Sequence, residues 1–112
     1  MSPITTHVLD VSLGRPAAGV PVLLESQVNG TWGVLGRGVT DADGRVKTLL
    51  EPGTLAAGVY RLTFDTGAYF KLLGTPGFFP TVPVVFELRS PGGHHHVPLL
   101  LSPFGYSTYR GS

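Results

Sequence analysis

Short apolar segments separated by glycine and proline run through the whole chain. The sixteen glycines and ten prolines stand at short intervals, and the residues between them are rich in Val, Leu, Thr, Tyr and Phe. This pattern is typical of short β-strands joined by turns. We predict strands over residues 4–11, 20–28, 32–40, 45–50, 59–65, 81–88, 94–101 and 106–110. Eight strands with hairpin-like links indicate an all-β fold, a two-sheet β-sandwich.

The links between these segments carry specific turn signals. Asn29-Gly30 is a two-residue hairpin signal, because both positions of such a turn need a positive φ. Residues 41–44 (Asp-Ala-Asp-Gly) predict the next turn. Residues 68–73 predict one short helix of about two turns. Asp65 or Thr66 is expected to cap its start.

Two prolines lie inside predicted strands. Because proline has no N–H to give to a sheet, Pro83 and Pro98 are expected on edge strands or at bulges. Residues 97–101 are apolar on both faces, and an exposed apolar edge strand would promote aggregation. We therefore expect a second subunit to cover the strand at residues 94–101, so that an oligomer forms through it.

Composition and charge narrow the functional classes. The chain is 42% hydrophobic and only 13% charged, whereas soluble proteins are about 25% charged. So little charge favours a protein that hides part of its surface against copies of itself. The net charge is +1 and the basic residues are scattered, so no nucleic-acid or acidic-membrane binding is indicated. The length fits a single domain over residues 1–112.

The absence of cysteine excludes disulfides, thiol nucleophiles and Cys-based metal sites. No apolar stretch approaches the roughly 20 residues that a membrane span needs. The first residues lack a basic region followed by an apolar run, so no secretory signal is expected. These features predict a cytoplasmic protein.

Four histidines are candidates for chemistry. Because a strand alternates its faces, His94 and His96 should point one way and His95 the other. Three interpretations are open: a solvated surface run, a zinc site in which His7 joins the His-x-His pair, and acid–base catalysis near neutral pH. No Gly-x-Ser-x-Gly elbow is present. If the protein is an enzyme, we expect a histidine-activated water to be the nucleophile.

Arg45 and the C-terminal residues are further candidates. Arg45 follows a tight turn, where its planar guanidinium can be held to bind a planar anionic or imide-like substrate and stabilise oxyanion charge. A surface arginine closing a hairpin is the alternative interpretation. Residues 106–112 (Tyr-Ser-Thr-Tyr-Arg-Gly-Ser) favour a strand at first and then end in polar groups. They are interpreted either as a final strand with a polar end or as a terminus placed inside a pocket.

The chain resembles the transthyretin-like proteins in several segments. Residues 6–10 (Thr-His-Val-Leu-Asp), with Gly14, Pro16 and Ala17, are similar to the N-terminal signature of that family. Residues 94–103 and the ending at residues 106–112 resemble the C-terminal signature of its 5-hydroxyisourate hydrolases. The resemblance includes residues 43–45 and 66–70 in the middle of the chain. The final Tyr-Arg-Gly-Ser is its most specific element, because it separates the hydrolases from hormone-carrying transthyretins.

This resemblance implies a transthyretin-like β-sandwich that forms a homotetramer, a dimer of dimers, with active sites at the dimer–dimer interface. It implies a cyclic amide hydrolase that converts 5-hydroxyisourate, the product of urate oxidation, to 2-oxo-4-hydroxy-4-carboxy-5-ureidoimidazoline in purine breakdown. No metal or organic cofactor is implied. The implied catalytic residues are His7, Arg45, His96 and Ser112, and the implied substrate-binding residues are Tyr109, Arg110 and Gly111.

Two positions depart from the family pattern. His95 and Phe104 stand where many relatives have tyrosine, and both lie outside the matched catalytic set. We hypothesise that His7 and His96 position and deprotonate water, although the sequence does not assign base and acid between them. The rival interpretations are a transthyretin-like carrier without catalysis and a structural module that binds a protein partner.

Overall fold

The computed structural model describes residues 2–53, 55–89 and 93–111. In these residues, eight strands form two four-stranded sheets, and one short helix lies outside them. The elements are β1 (Ile4–Asp10), β2 (Arg15–Pro16), β3 (Pro21–Val28), β4 (Thr31–Val39), β5 (Gly58–Phe64), α1 (Thr66–Leu73), β6 (Val82–Leu88), β7 (His95–Ser102) and β8 (Gly105–Thr108). The predicted all-β sandwich with one short helix is confirmed. Among the described residues, no helix has the length and apolarity needed to cross a membrane.

The two sheets differ in how their strands pair. The first has the order β2-β1-β7-β8 and the second has the order β4-β3-β5-β6. Neighbouring strands are antiparallel except for β1 and β7, which run parallel. The expectation of hairpin-like links misses this parallel pair, because the two strands are distant in sequence and a hairpin joins only consecutive strands.

Alternation along β1 decides which residues form the core. Its burial is strictly periodic, with every second side chain from Ile4 to Asp10 buried and the ones between half-buried. The buried side of each sheet meets the other sheet, as in a sandwich whose inner faces interdigitate. The core is formed by Ile4, Val8, Ala17, Val20, Val22, Leu24, Val46, Leu49, Tyr60, Leu62, Phe64, Tyr69, Phe70, Val82, Val84, Leu88, Val97, Leu99 and Leu101.

The predicted hairpin and helix are present. Asn29 and Gly30 connect β3 to β4 with φ values of 53° and 77°, as the turn requires. Helix α1 begins at Thr66, two residues before the predicted start. The Asp65 side chain caps it by accepting a hydrogen bond from the Ala68 N–H at 3.0 Å. Of the two predicted caps, Asp65 is therefore the correct one.

The predicted strand at residues 45–50 is wrong. Only Arg45 makes a strand-like contact there, an isolated bridge with His7. Val46 and Leu49 are both buried, and the segment crosses closely over two glycines of β4. A Cβ at Gly36 would clash with the Leu49 carbonyl, and a Cβ at Gly38 would clash with Val46. The apolar side chains of this segment insert into the core from an irregular backbone and do not alternate in a sheet.

The predictions for the two prolines inside strands differ in their outcome. Pro83 lies on β6, an edge strand, as predicted. The edge prediction for Pro98 is wrong, because β7 lies between β1 and β8. The β7–β8 ladder ends at the Leu99–Thr108 pair, and the Pro98 carbonyl accepts a hydrogen bond from the Thr108 hydroxyl at 2.7 Å. Pro98 is thus tolerated just beyond the end of a short neighbour.

The same placement corrects the expected oligomer contact. The run at residues 97–101 lies inside the first sheet, and four of its five side chains are buried within one subunit. Its apolar character on both faces therefore needs no second subunit along a strand edge. The edge of the first sheet on that side is β8 instead.

A buried carboxylate joins the first sheet to helix α1. Asp10 accepts a hydrogen bond from the Tyr69 hydroxyl at 2.6 Å, and its other oxygen accepts bonds from Ser12 and the Leu13 N–H. Burial alone pushes the pKa of Asp10 upward, but these hydrogen bonds outweigh it and lower the pKa below its ordinary value. Burial and the Asp10 hydrogen bond raise the pKa of Tyr69.

We expect Tyr69→Phe to lower the free energy of unfolding by about 1.5–3 kcal/mol, because a hydrogen bond to a buried charged group is lost. The stabilisation from Asp10 is present above the ordinary carboxyl pKa and is lost as the pH falls through its lowered, folded-state pKa. Urea unfolding at neutral and acidic pH measures both effects. A Tyr69→Phe protein as stable as the parent at neutral pH would contradict the prediction.

Candidate active site

The outer face of the first sheet carries the predicted histidines. The half-buried positions of β1, Thr5 and His7, point away from the core. The parallel register places Thr5 opposite His96 and His7 opposite Pro98. Paired residues in neighbouring strands point to the same face. The pairing of β1 with β7 therefore brings together two histidines that are far apart in sequence.

Arg45 is held beside His7 by the preceding turn. The Asp41 carboxylate accepts hydrogen bonds from the N–H groups of Asp43 and Arg45 at 2.9 and 3.1 Å. The Val8 N–H donates to the Gly44 carbonyl at 2.8 Å, which ties the turn to β1. Gly44 has a φ of 75°, and a Cβ there would clash with the Val8 carbonyl. The turn thus needs glycine in order to bring Arg45 against the strand.

The last residues of the chain return to His96. The Gly111 N–H donates to the His96 carbonyl at 2.8 Å, and the two residues form an isolated antiparallel bridge. A Cβ at Gly111 would lie 2.6 Å from Cδ2 of the His96 ring and 3.2 Å from its Cγ. The approach is so close that only glycine fits without displacing the imidazole or the tail.

These elements form an open groove on the outer face, which we call the outer groove. Its volume is about 610 Å³, within the range of small-molecule sites. Two basic side chains and two imidazoles line it, so it favours a substrate with oxygen atoms that bear or develop negative charge. Its lining residues are Thr5, Thr6, Arg45, Val46, Lys47, His94 and His96.

The environment of His96 favours its neutral form. Burial is the main cause that lowers the pKa of His96 below its ordinary value, and the nearby charges of Arg45, His7 and His94 lower it further. A hydrogen bond to the Thr5 backbone acts in the opposite direction. A neutral imidazole has one nitrogen that can accept a proton. His96 is therefore suited to act as a general base near pH 7.

A second, smaller groove lies beside the first. It has a volume of about 300 Å³ and runs between the ends of β6, β7 and the C-terminal tail. Tyr109 and Arg110 line this edge groove together with His95, and His96 lines both grooves. His95 thus faces a different region from His94, as strand alternation predicted.

The structure brings together most of the predicted site residues. Arg45 and His96 line the outer groove, with His7 bridged to Arg45 and Gly111 bridged to His96, whereas Tyr109 and Arg110 line the neighbouring edge groove. The predicted catalytic Ser112 lies outside the described residues. Sequence reasoning missed Thr5 and Lys47. Thr5 follows the strand period, since it stands two residues before His7 in β1, whereas Lys47 stands two residues after Arg45 in the irregular segment.

The described histidines are not arranged as the ligands of a zinc site. Residues 2–53, 55–89 and 93–111 contain no cluster of three or more His, Asp or Glu side chains that could hold a metal ion. His94 and His96 instead stack with ring centroids 6.5 Å apart. One ring nitrogen of each forms a hydrogen bond with the Thr5 hydroxyl.

Known proteins are similar to this chain in both sequence and fold. Residues 4–111 match the family described as the HIUase/Transthyretin family. The chain belongs to this family. Within the HIUase/Transthyretin family, the 5-hydroxyisourate hydrolase of Salmonella dublin is 48% identical over 109 residues, which cover 97% of this chain and 80% of that protein. The family predicted from the sequence is thus confirmed.

Solved structures in the HIUase/Transthyretin family include both enzymes and transthyretins. The 5-hydroxyisourate hydrolase of Klebsiella pneumoniae is 41% identical, with a TM-score of 0.85, over 97% of this chain and 98% of that one. Sea bream transthyretin, solved in complex with thyroxine, is 36% identical with a TM-score of 0.91, over 98% and 95% of the two chains. The backbone alone therefore does not separate the two activities.

Proposed function

We propose that the chain hydrolyses 5-hydroxyisourate in the outer groove, as a step of urate degradation. The observation that carries this proposal is the convergence of His7, Arg45 and His96 on one sheet face. The 48% identity to a protein named as a 5-hydroxyisourate hydrolase supports it. The enzyme class predicted from the sequence, a hydrolase, is confirmed by such relatives.

The groove suits the chemistry of a planar, carbonyl-rich heterocycle. The Arg45 guanidinium offers a planar set of donors that can bind two oxygen atoms at once. The turn before Arg45 is hydrogen-bonded to β1, which anchors the backbone from which the guanidinium extends. Arg45 binds the ring and stabilises the negative charge that develops on the attacked carbonyl oxygen.

The histidines move the protons of the reaction. Water loses one proton to His96 while its oxygen bonds to the C6 carbonyl carbon, and the ring C–N bond then breaks. The leaving nitrogen takes a proton from the histidine pair, so the enzyme ends as it began. His7, next to Arg45 in the bridge, positions the water and shares in this transfer.

The C-terminal residues complete the proposed site. Gly111 lets the tail lie against His96, and Tyr109 and Arg110 extend the binding surface toward the edge groove. We propose that Ser112 holds substrate or water, a role carried over from the family resemblance. No metal or organic cofactor is needed in this scheme, and a chelator should leave the reaction rate unchanged.

A homotetramer is proposed as the working assembly. The outer groove is open on one side in a single subunit, and a second copy packed on this face would close it. Strand β8 is one edge of the first sheet and β6 is one edge of the second, and edge strands readily pair with further strands. The cytoplasmic location expected from the sequence stays a prediction.

The carrier alternative rests on the transthyretin backbone that this chain shares. Among the solved structures, greater identity to the hydrolase, 41% against 36%, favours the enzyme. The deciding experiment adds the protein to freshly oxidised urate and follows the ultraviolet decay of 5-hydroxyisourate. We expect decay far above the rate in buffer. A rate equal to that in buffer would exclude the enzyme and leave the carrier.

Gly111→Ala tests the contact between the tail and His96. The new Cβ would meet the imidazole at 2.6 Å, so the ring or the tail must move. A displacement of about 1 Å can lower turnover by roughly 100-fold, and we expect a loss of about 10- to 100-fold in kcat. Thermal unfolding should be nearly unchanged, because the contact lies at the chain terminus.

The matched control for this variant is Gly105→Ala in β8. A Cβ there has Ser102 Oγ as its nearest neighbour at 3.7 Å, which is ordinary contact. Its turnover should equal that of the parent protein. Equal turnover of the two alanine variants would show that the tail does not constrain His96.

A further inference from the structure

The Thr5 hydroxyl lies between two imidazoles of the outer groove. Its Oγ1 is 2.9 Å from Nε2 of His94 and 2.9 Å from Nδ1 of His96. The strand register explains this position, because Thr5 and His96 are paired residues in β1 and β7. His94, the residue just before β7, stacks on His96 with an angle of 24° between the rings.

A hydroxyl in this position couples the tautomers of its two neighbours. It has a single proton to donate and two lone pairs with which to accept. When Thr5 donates to His94 Nε2, it accepts from His96 Nδ1–H, and Nε2 of His96 is left without a proton. When Thr5 donates to His96 Nδ1 instead, the neutral His96 ring carries its proton on Nε2. Only the first arrangement lets His96 Nε2 accept a proton.

We propose that Thr5 and His94 are positioning residues that hold His96 in the tautomer with a bare Nε2 facing the substrate. The relay runs from His96 Nδ1–H to Thr5 Oγ1 and from the Thr5 O–H to Nε2 of a neutral His94. This inference rests on the proposed hydrolysis and assigns a role to a threonine and a histidine outside the predicted catalytic set.

The relay leaves the proton balance of the reaction unchanged. Water gives its proton to His96 Nε2, and the Nδ1–H bond stays intact. The imidazolium so formed is stabilised by Thr5 Oγ1, whose own proton is directed to His94. The proton on Nε2 then passes to the leaving ring nitrogen. His94 keeps its proton on Nδ1 throughout and meets no reacting atom.

Several other charges face His96 and act in the same groove. Arg45 and His7 lie close enough to lower its pKa, and His94 does so in its charged form. Lys47 lines the same groove, and Arg110 lines the edge groove that His96 also borders. These cationic groups oppose a charged His96, whereas the hydrogen bond to the Thr5 backbone and an acceptor at Nδ1 favour its imidazolium during turnover.

Thr5→Val removes the hydroxyl and keeps the shape of a β-branched side chain. We expect kcat to fall by about 10- to 100-fold, the loss that is typical when the partner orienting a metal-bound histidine is removed, with KM nearly unchanged. Thr5→Ser should restore most of the activity because it keeps the hydroxyl. Thr63→Val, the same change at a half-buried position on β5 of the other sheet, is the matched control and should behave as the parent.

Two further measurements separate this role from a merely structural one. Nitrogen-15 NMR of labelled histidine should show His96 protonated on Nδ1 in the parent and shifted toward Nε2–H in Thr5→Val. The acid limb of the kcat/KM profile should move to lower pH in Thr5→Val, because an acceptor that stabilises the imidazolium is gone. A parent protein with His96 protonated on Nε2 would overturn the proposal.

His94 provides an independent arm of the test. His94→Gln can still accept the Thr5 proton through its amide oxygen, so its kcat should stay within about threefold of the parent, while His94→Phe should lose about tenfold or more. Equal activity of His94→Phe and the parent would overturn the relay. Failure of the proposed function would be distinct, because the parent itself would then show no turnover of 5-hydroxyisourate.

Discussion

His96→Asn is expected to lower turnover of 5-hydroxyisourate by about 10²- to 10⁴-fold, the usual contribution of a positioned acid–base group. Asparagine can keep a hydrogen bond to Thr5 but has no nitrogen that accepts a proton near pH 7. The decay of the ultraviolet absorbance of freshly formed 5-hydroxyisourate measures the effect. The assembly state of the variant should equal that of the parent, because only the end of one outward side chain changes.

The pH dependence adds a second test of the same residue. A general base works while it is deprotonated, so activity falls as the pH drops through its pKa. The usual pKa of histidine is about 6.5. Because the pKa of His96 lies below this ordinary value, the acid limb of the kcat/KM profile should lie below it as well. That limb should disappear in His96→Asn. Activity of the variant within about twofold of the parent would remove His96 from the mechanism.

Arg45→Gln is the second change with a large expected effect. It removes the guanidinium that faces the developing oxyanion, and a loss of about 10²- to 10³-fold in kcat is typical for removal of one such donor. The variant also removes a positive charge that lowers the pKa of His96. Its acid limb should therefore move to higher pH, in the direction opposite to that expected for Thr5→Val.

Arg45→Lys separates charge from geometry at the same position. Lysine keeps the positive charge but does not offer two parallel donors. We expect most of the turnover loss to remain and the acid limb to stay nearer to that of the parent. Arg37→Gln, at an exposed arginine of β4, is the matched control. If Arg45→Gln and Arg37→Gln had equal rates, Arg45 would be a surface residue with no catalytic part.

Local signals in the chain predicted most of the fold. The hairpin at Asn29-Gly30 follows from the φ values that its turn requires, and both residues adopt them. The cap at Asp65 follows from a side chain that can accept from the first turn of a helix. Each of these features depends on atoms a few residues apart, so the sequence around it contains the whole physical cause.

The errors occur where distant parts of the chain meet. Residues 45–50 have the composition of a strand, but the glycines of β4 let them pack as an irregular core segment. Pro98 has the properties of an edge residue, but it lies inside a sheet because β8 is short. Neither the close approach nor the length of the neighbouring strand is encoded near the residue concerned.

The features of the candidate site also separate into local ones and ones that depend on distant parts of the chain. The sequence by itself determined the residue types, the alternation that separates His95 from His94 and His96, and the family to which the chain belongs. Only the tertiary structure decided that the parallel pairing of β1 with β7 places Thr5 between two imidazoles, and that a glycine turn brings Arg45 to His7. Strand alternation is a property of neighbouring residues, whereas the register between strands depends on how the whole core packs.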